Sequence, residues 1–383
     1  MRLCVLVATY PLVSETFVYE PVRWLVERGH DVTVLAKRAG SLPPGGGGEA
    51  RVVAPHVLTP AREALAWLRA PVHGMRRGSL RVAARSRLPE IRRADVLLAH
   101  FGKVGERWLP VAAAAKRPYA VFFHGNDATG ELRARPDRYA ALFRSGAGLI
   151  ANCEFLAERL AAAGAPRERL VVIPNGVDDA LAAAGPPAST AHTVLTVGRL
   201  IEKKGIADSL AAFVRARASL PADWRYEIVG DGPLRAGLER AAQESGAAAA
   251  VHFRGFLPRA QSLDAIRAAS LLVLASRTAA SGDAEGTPNC VIEAATCGVP
   301  VVATRHGGIP ELLPRDAEAR GFLVREGDVE ALARAIAALA ASETLRREWG
   351  LACRAHIRRR HSAEAHVAAL VDALERVARV PSL

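Results

Sequence analysis

Short apolar runs alternate with helical periodicities from the first residues onward. Arg2 to Ala8 is an apolar run of strand length. Glu15 to Arg28 follows, with Val18, Val22, Leu25 and Val26 on one helical face, and Asp31 to Ala36 is a strand again. Gly40 to Ala50 interrupts the pattern with glycine and proline and predicts a flexible loop. Further strands are predicted at Ala94 to His100, Tyr119 to Gly125, Gly148 to Asn152 and Leu170 to Pro174. Ala180 to Ala191, rich in alanine, glycine and proline, reads as a linker. A second series then begins, with strands at Thr193 to Val197, Tyr226 to Val229, Val251 to Phe256, Leu271 to Ala275, Val299 to Thr304 and Gly321 to Val324. After Asp328 the pattern is almost wholly helical, and no internal repeat is evident.

Strands alternating with helices imply βαβ units on parallel sheets. Two series imply two domains, and 383 residues exceed a comfortable single core. The expected architecture is α/β, with two doubly wound Rossmann-like domains facing a central cleft. Ligands are then expected at the carboxyl ends of the strands.

Composition adds constraints. Half of the residues are apolar, but no run is long and apolar enough to span a bilayer. Met1-Arg2 leads straight into a strand, which is not the pattern of a signal peptide. Five scattered cysteines (Cys4, Cys153, Cys290, Cys297 and Cys353) point to a reducing, cytoplasmic setting. Cys290 and Cys297 have no second ligand pair nearby, so no zinc site is read. Cys290, near a predicted helix start, is read as a small buried filler rather than a thiolate.

The net charge of +12 points to an anionic partner, either a phosphate-bearing substrate or a membrane surface. Nucleic acid is not expected, since aromatics make up only 5% and no recognition module is present. Only five of the 51 basic residues are lysine, and Lys103, Lys203 and Lys204 fall beside glycine-containing turns.

The segment richest in chemistry is Glu285-Gly286-Thr287-Pro288-Asn289-Cys290-Val291-Ile292-Glu293. A glycine and proline loop opens a short apolar helix, Gly298 closes it, and a β-branched strand follows. Glu285 is placed in the loop and Glu293 two turns into the helix. Eight helical residues cover about 12 Å, roughly the span from sugar to ribose across a diphosphate. Between the two carboxylates, the amides of Gly286 to Cys290 form a helix N-terminus suited to phosphate. The alternative is a polar loop before a buried helix.

Other polar clusters fall at strand ends. Arg199, in Val197-Gly198-Arg199-Leu200, and Lys204, in Glu202-Lys203-Lys204-Gly205, could neutralise a diphosphate or be solvated surface cations. Gly230-Asp231-Gly232 permits close backbone approach, with Asp231 equally suited to a turn, and Gly255-Phe256 ends the next strand. His124, in Phe122-Phe123-His124-Gly125-Asn126-Asp127, could touch a sugar hydroxyl or be a satisfied structural histidine. His100-Phe101-Gly102-Lys103 is a weaker instance of the same arrangement. Ser14-Glu15-Thr16 reads as the cap of the first helix, with Ser14 or Thr16 bonding free amides, and is compatible with substrate contact. Asn175 lies in a turn, Ile173 to Asp178, at the domain junction.

Taken together, these segments resemble family 4 glycosyltransferases of the GT-B fold. Ser14-Glu15-Thr16-Phe17, His124-Gly125, Val172 to Asp178, Val197 to Leu200 with Lys203-Lys204-Gly205, Gly230 to Pro233 and Glu285-x7-Glu293 cover nearly the whole chain in order. The Tyr10-Pro11-x3-Glu15-Thr16-Phe17 opening and the Gly282 to Pro288 run look most like colanic-acid and amylovoran-type exopolysaccharide transferases. Thr296-Cys297 is a conservative departure from the family pattern.

The resemblance implies a nucleotide diphosphate sugar, UDP- or GDP-linked, as donor. Glu285 would lie near the reacting centre, Glu293 on the ribose hydroxyls, and Arg199 and Lys204 on the diphosphate. The amides of Gly286, Thr287 and the residues around Pro288, among them Asn289, would assist, and His124 would lie near the donor sugar. It also implies retention of anomeric configuration, no cofactor, no obligatory metal, and a C-terminal helix (Ser362 to Arg379) that returns to the first domain. The acceptor is expected to be a glycan, a lipid-linked saccharide or a soluble small molecule such as an aminoglycoside. A glycosidase, a nucleotide-sugar 2-epimerase of the same fold and a non-catalytic carbohydrate-binding subunit are the competing readings.

The basic stretch from Leu58 to Arg93 carries nine arginines against Glu63 and Glu90, with apolar residues interleaved. Such a segment can lie on an anionic bilayer, which would suit a peripheral position at the inner membrane face. A solvated helical face is the alternative.

Overall fold

The computed structural model describes residues 1–12, 15–40, 56–57, 82, 85–86, 88–183 and 192–379. Ser14, the 41–50 loop, most of the Leu58 to Arg93 segment and residues 184–191 of the expected linker lie outside them. The chain divides into two compact units, Met1–Pro174 with His366–Leu383, and Asn175–Ala365.

The first unit is built on a seven-stranded parallel sheet: β1 (Arg2–Tyr10), β2 (Asp31–Ala39), β3 (His56–Val57), β4 (Val96–His100), β5 (Tyr119–Phe123), β6 (Gly148–Ala151) and β7 (Leu170–Val172). Its order is β3-β2-β1-β4-β5-β6-β7. The central β4 and β5 are buried at every position, as strands covered by helices on both faces must be. The C-terminal helix Ala363–Arg379 enters this unit at His366 and buries Val367, Leu370 and Leu374. The His366 imidazole bonds the Pro174 carbonyl through Nδ1 (2.7 Å) and stacks on Phe122. The expected return of this helix is therefore present.

The second unit carries six parallel strands: β8 (Thr193–Val197), β9 (Arg225–Val229), β10 (Val251–Gly255), β11 (Leu271–Leu274), β12 (Val301–Thr304) and β13 (Leu323–Val324), in the order β10-β9-β8-β11-β12-β13. In both sheets the chain winds one way and then the other from the first strand. The strand order therefore reverses between β1 and β4, and between β8 and β11. Loops leaving the carboxyl ends at such a point diverge and leave room for a ligand.

Several expected boundaries shift for physical reasons. The strand expected from Val299 starts at Val301, because Pro300 has no N–H to place in a ladder. The one expected from Gly321 starts at Leu323, since Gly321 sits in the left-handed region at φ +75°. Strand β3, only two residues long, has no counterpart in the predicted elements. The first helix runs Thr16–Glu27 with Glu15 in the N-cap position, and no side chain caps it there. Thr16 is the first residue of the helix, and Ser14, the other expected cap, lies outside the described residues. Among the described residues, no helix is long and apolar enough to cross a membrane.

Candidate active site

In the second unit, the loops leaving β8, β9 and β10 are joined by backbone bonds. Gly198 N donates to Val229 O (2.9 Å), Gly230 N to Gly255 O (2.8 Å) and Leu200 N to Asp231 O (2.9 Å). A Cβ on Gly230 would lie 1.9 Å from Gly198 O, so only glycine allows this approach. Asp231 supports the turn, accepting from Gly232 N (2.7 Å) and pairing with Arg235 at 3.5 Å. Phe256, just beyond β10, is 56% exposed, unusual for so large an apolar side chain.

The turn after β8 carries Arg199, which is exposed, and then Lys203 and Lys204 in a single 3-10 turn (Glu202–Lys204) closed by Gly205. Gly205 has φ +58°, and a Cβ there would fall 1.6 Å from Ala275 O, at the end of β11. This fit presses the lysine turn against the switch point of the sheet. Lys204 Nζ lies 3.2 Å from Glu285 Oε2, and Lys203 Nζ lies 3.7 Å from Glu285 Oε1 and 3.1 Å from Asp283. Lys204 and Glu285, read separately from the sequence, are thus ion partners.

Glu285 is buried, and 13% of the Lys204 side chain is exposed. Burial works against the charge on Glu285, but Lys204 and Lys203 overcome it and hold its pKa below the usual carboxylate range. Burial likewise pushes Lys204 down, and the Glu285 carboxylate more than offsets this, leaving its pKa raised. The pair is ionised at neutral pH. Glu285 Oε1 nevertheless has no hydrogen-bond partner among the described residues, and neither does the buried Thr287 hydroxyl two residues on. Two buried oxygens without hydrogen bonds in one loop depart from the usual satisfaction of polar groups.

Pro288 is the N-cap of the helix Asn289–Cys297, and no side chain caps it. Its first-turn amides and the positive end of its dipole therefore lie immediately after Gly286-Thr287. Gly298 closes the helix at φ +77°, as expected. Asn175, buried, donates from Nδ2 to Asn289 Oδ1 (3.0 Å) and so fixes the first helical residue. Glu293 is only the fifth residue of this helix, not two turns in, because four of the eight intervening steps are loop. Its carboxylate accepts from Arg259 Nη1 at 2.6 Å. Cys290 is buried and its thiol pKa is pushed up to about 12, chiefly by burial, which makes it the inert filler expected.

Sequence reasoning missed Arg259, His306 and Glu326. His306 Nε2 lies 3.1 Å from the Glu285 amide, and its Nδ1 lies 2.6 Å from Glu326 Oε1. A histidine before Gly307-Gly308 at a strand end was a usable signal; Arg259 and Glu326 offered none.

The remaining site residues belong to the first unit. His124, just past β5, is buried, with its ring tilted against Phe17 (4.5 Å between centroids) and Phe101 (4.8 Å). Phe17 carries with it the Glu15-Thr16 turn. His124 Nε2 lies 3.2 Å from Nδ1 of His100, whereas His124 Nδ1 is buried without a partner among the described residues. Burial holds His124 well below the usual imidazole pKa and lowers His100 to about 3, so both rings are neutral. The His124 amide donates to Asp127 Oδ2 (3.0 Å), a carboxyl whose own pKa burial raises to about 6. Among the described residues, no group of three or more His, Cys, Asp or Glu is arranged to hold a metal ion.

Comparison with known proteins matches residues 178–356 to the model for glycosyl transferases group 1 and residues 14–181 to that for glycosyltransferase family 4. The chain is 31% identical to the Escherichia coli (strain K12) protein named for colanic acid biosynthesis, the glycosyltransferase WcaL, over 88% of this chain and 89% of that one. It is 28% identical to the amylovoran biosynthesis glycosyltransferase AmsK of Erwinia amylovora, over 99% and 100%. Among solved structures, Anabaena HepE in complex with UDP and glucose superposes with a TM-score of 0.73 at 20% identity, over 98% of this chain and all of that one. Sucrose-phosphate synthase from Thermosynechococcus elongatus gives 0.73 at 18% identity, over 98% and 99%. These two share the fold, GT-B.

Proposed function

The chain belongs to the group 1 glycosyltransferases, family 4, and on that premise we propose that it moves a sugar from a nucleotide diphosphate sugar to a glycan or lipid-linked saccharide, with retention of configuration. The observation that carries this reading is the buried Glu285–Lys204 pair at the mouth of the Asn289–Cys297 helix, with Glu285 Oε1 and the Thr287 hydroxyl lacking hydrogen bonds. A diphosphate has the charge and acceptor oxygens to engage Lys204, Arg199 and the first-turn amides together. The sugar then lies toward Glu285 and the ribose toward Glu293.

In the reaction the bond from the anomeric carbon to the diphosphate oxygen breaks as the acceptor oxygen bonds that carbon. The departing phosphate takes the acceptor's proton. Negative charge grows on the leaving group, where Lys204, Arg199 and the helix dipole stabilise it. Positive character grows on the sugar, where the Glu285 carboxylate stabilises it. With two cations serving the diphosphate, no metal is required, and transfer persists in excess chelator.

A polysaccharide acceptor is favoured over a soluble metabolite because relatives covering nearly the whole chain are named for colanic acid and amylovoran biosynthesis. The test is incubation with a panel of UDP- and GDP-sugars and a lipid-linked saccharide, followed by NMR of the product's anomeric proton. A retained configuration is expected; inversion, or turnover of the donor to its epimer without acceptor, contradicts the proposal.

Glu293 makes a separate prediction. Losing one charge-assisted hydrogen bond to ribose costs roughly 1.5–3 kcal/mol, so Glu293→Ala weakens donor binding about 10- to 150-fold. Its kcat stays within severalfold, because the ribose is remote from the reacting carbon. An unchanged donor KM places the ribose elsewhere.

A further inference from the structure

We propose that His306 is a positioning residue that fixes the Glu285 backbone. The inference deepens the functional reading above and rests on it for its catalytic consequence. A backbone amide can only donate, so at 3.1 Å the Nε2 of His306 must accept from Glu285 N. The ring proton is then on Nδ1, facing Glu326 Oε1 at 2.6 Å. Glu326 Oε2 in turn accepts from Thr278 N (3.0 Å). This chain of bonds ties together the segments that follow β11, β12 and β13.

The neighbouring backbone completes the clamp. Gly308 N donates to Gly286 O (3.0 Å), and Gly307, at φ +55°, passes so close that a Cβ would lie 2.1 Å from Glu285 O. Glu285 is thus held through its amide, its carbonyl side and the next residue, while its carboxylate meets Lys204. The His306 side chain is 2% exposed, so water cannot replace the Nε2 acceptor.

Amide hydrogen exchange of the intact protein tests this without any ligand. Protection of the Glu285 amide, corrected for intrinsic exchange, should fall on the order of tenfold in His306→Ala, the size of one lost buried hydrogen bond. His306→Gln, whose carbonyl can accept but not titrate, should retain it within about threefold. Equal protection in Ala and wild type, or protection lost in Gln as in Ala, overturns the proposal. In turnover with a UDP- or GDP-sugar, His306→Ala should lose kcat with donor KM nearly unchanged. Wild-type kcat in that variant, with Glu285→Gln inactive, overturns the positioning role alone; an active Glu285→Gln overturns the functional reading instead.

Discussion

Glu285→Gln is expected to lower kcat by about two to three orders of magnitude, the scale of removing one preorganised electrostatic contact from a transition state. The substitution keeps size and the possibility of a hydrogen bond from Lys204 but removes the negative charge. Binding of the nucleotide diphosphate should stay within about fivefold of wild type, because the sugar-side carboxylate does not touch the phosphates and Lys204 is freed to meet them. Fold stability should also fall, since Lys204 is left largely buried without its counter-charge, while Lys203 keeps Asp283 at 3.1 Å. Steady-state kinetics together with a binding titration checks both halves. Turnover within tenfold of wild type removes Glu285 from the reacting centre.

Lys204→Ala should be as severe, and differ in kind. Truncating one member of a buried, hydrogen-bonded charge pair costs about 2–5 kcal/mol, so kcat/KM should fall on the order of a hundredfold or more. Part of the loss comes from Glu285. In the wild type its pKa is depressed because Lys204 and Lys203 overcome burial. With Lys204 gone, burial gains weight and the pKa rises, so a growing fraction of Glu285 is protonated as pH falls. Residual activity should therefore rise with pH over a range where Glu285 is fully ionised in the wild type. The rest of the loss is leaving-group charge left without its cation. A variant with wild-type kcat/KM and a wild-type pH profile contradicts the assignment.

Most of the fold was legible because a doubly wound sheet has a regular period: β8 was placed to the residue, and β4, β5 and β11 to within two. Errors arose where backbone chemistry decides an end, as at Pro300 and Gly321, or where an element is too short to carry a pattern, as at His56–Val57. In the site, residues contiguous in sequence were legible: Glu285 through Glu293, and Lys203-Lys204-Gly205. What could not be read was which of them touch. Lys204 and Glu285 are 81 positions apart and meet because Gly205 lets the β8 turn press on Ala275. Arg259 reaches Glu293 from the start of the helix Arg259–Ala268, and Glu326 reaches His306 from a loop, and neither carries a local mark in the sequence. Asp231, read as equally suited to a turn, supports its own turn by accepting from Gly232 N.

The central claim, that the Lys204–Glu285 pair marks the seat of a nucleotide diphosphate, is tested most directly by titration calorimetry of UDP and GDP. The intact protein is compared with Lys204→Ala and Glu285→Gln. Saturable binding of one nucleotide by wild type is expected, about tenfold or more weaker in Lys204→Ala and within about fivefold of wild type in Glu285→Gln. Equal affinity in wild type and Lys204→Ala, or binding of neither nucleotide, would contradict it.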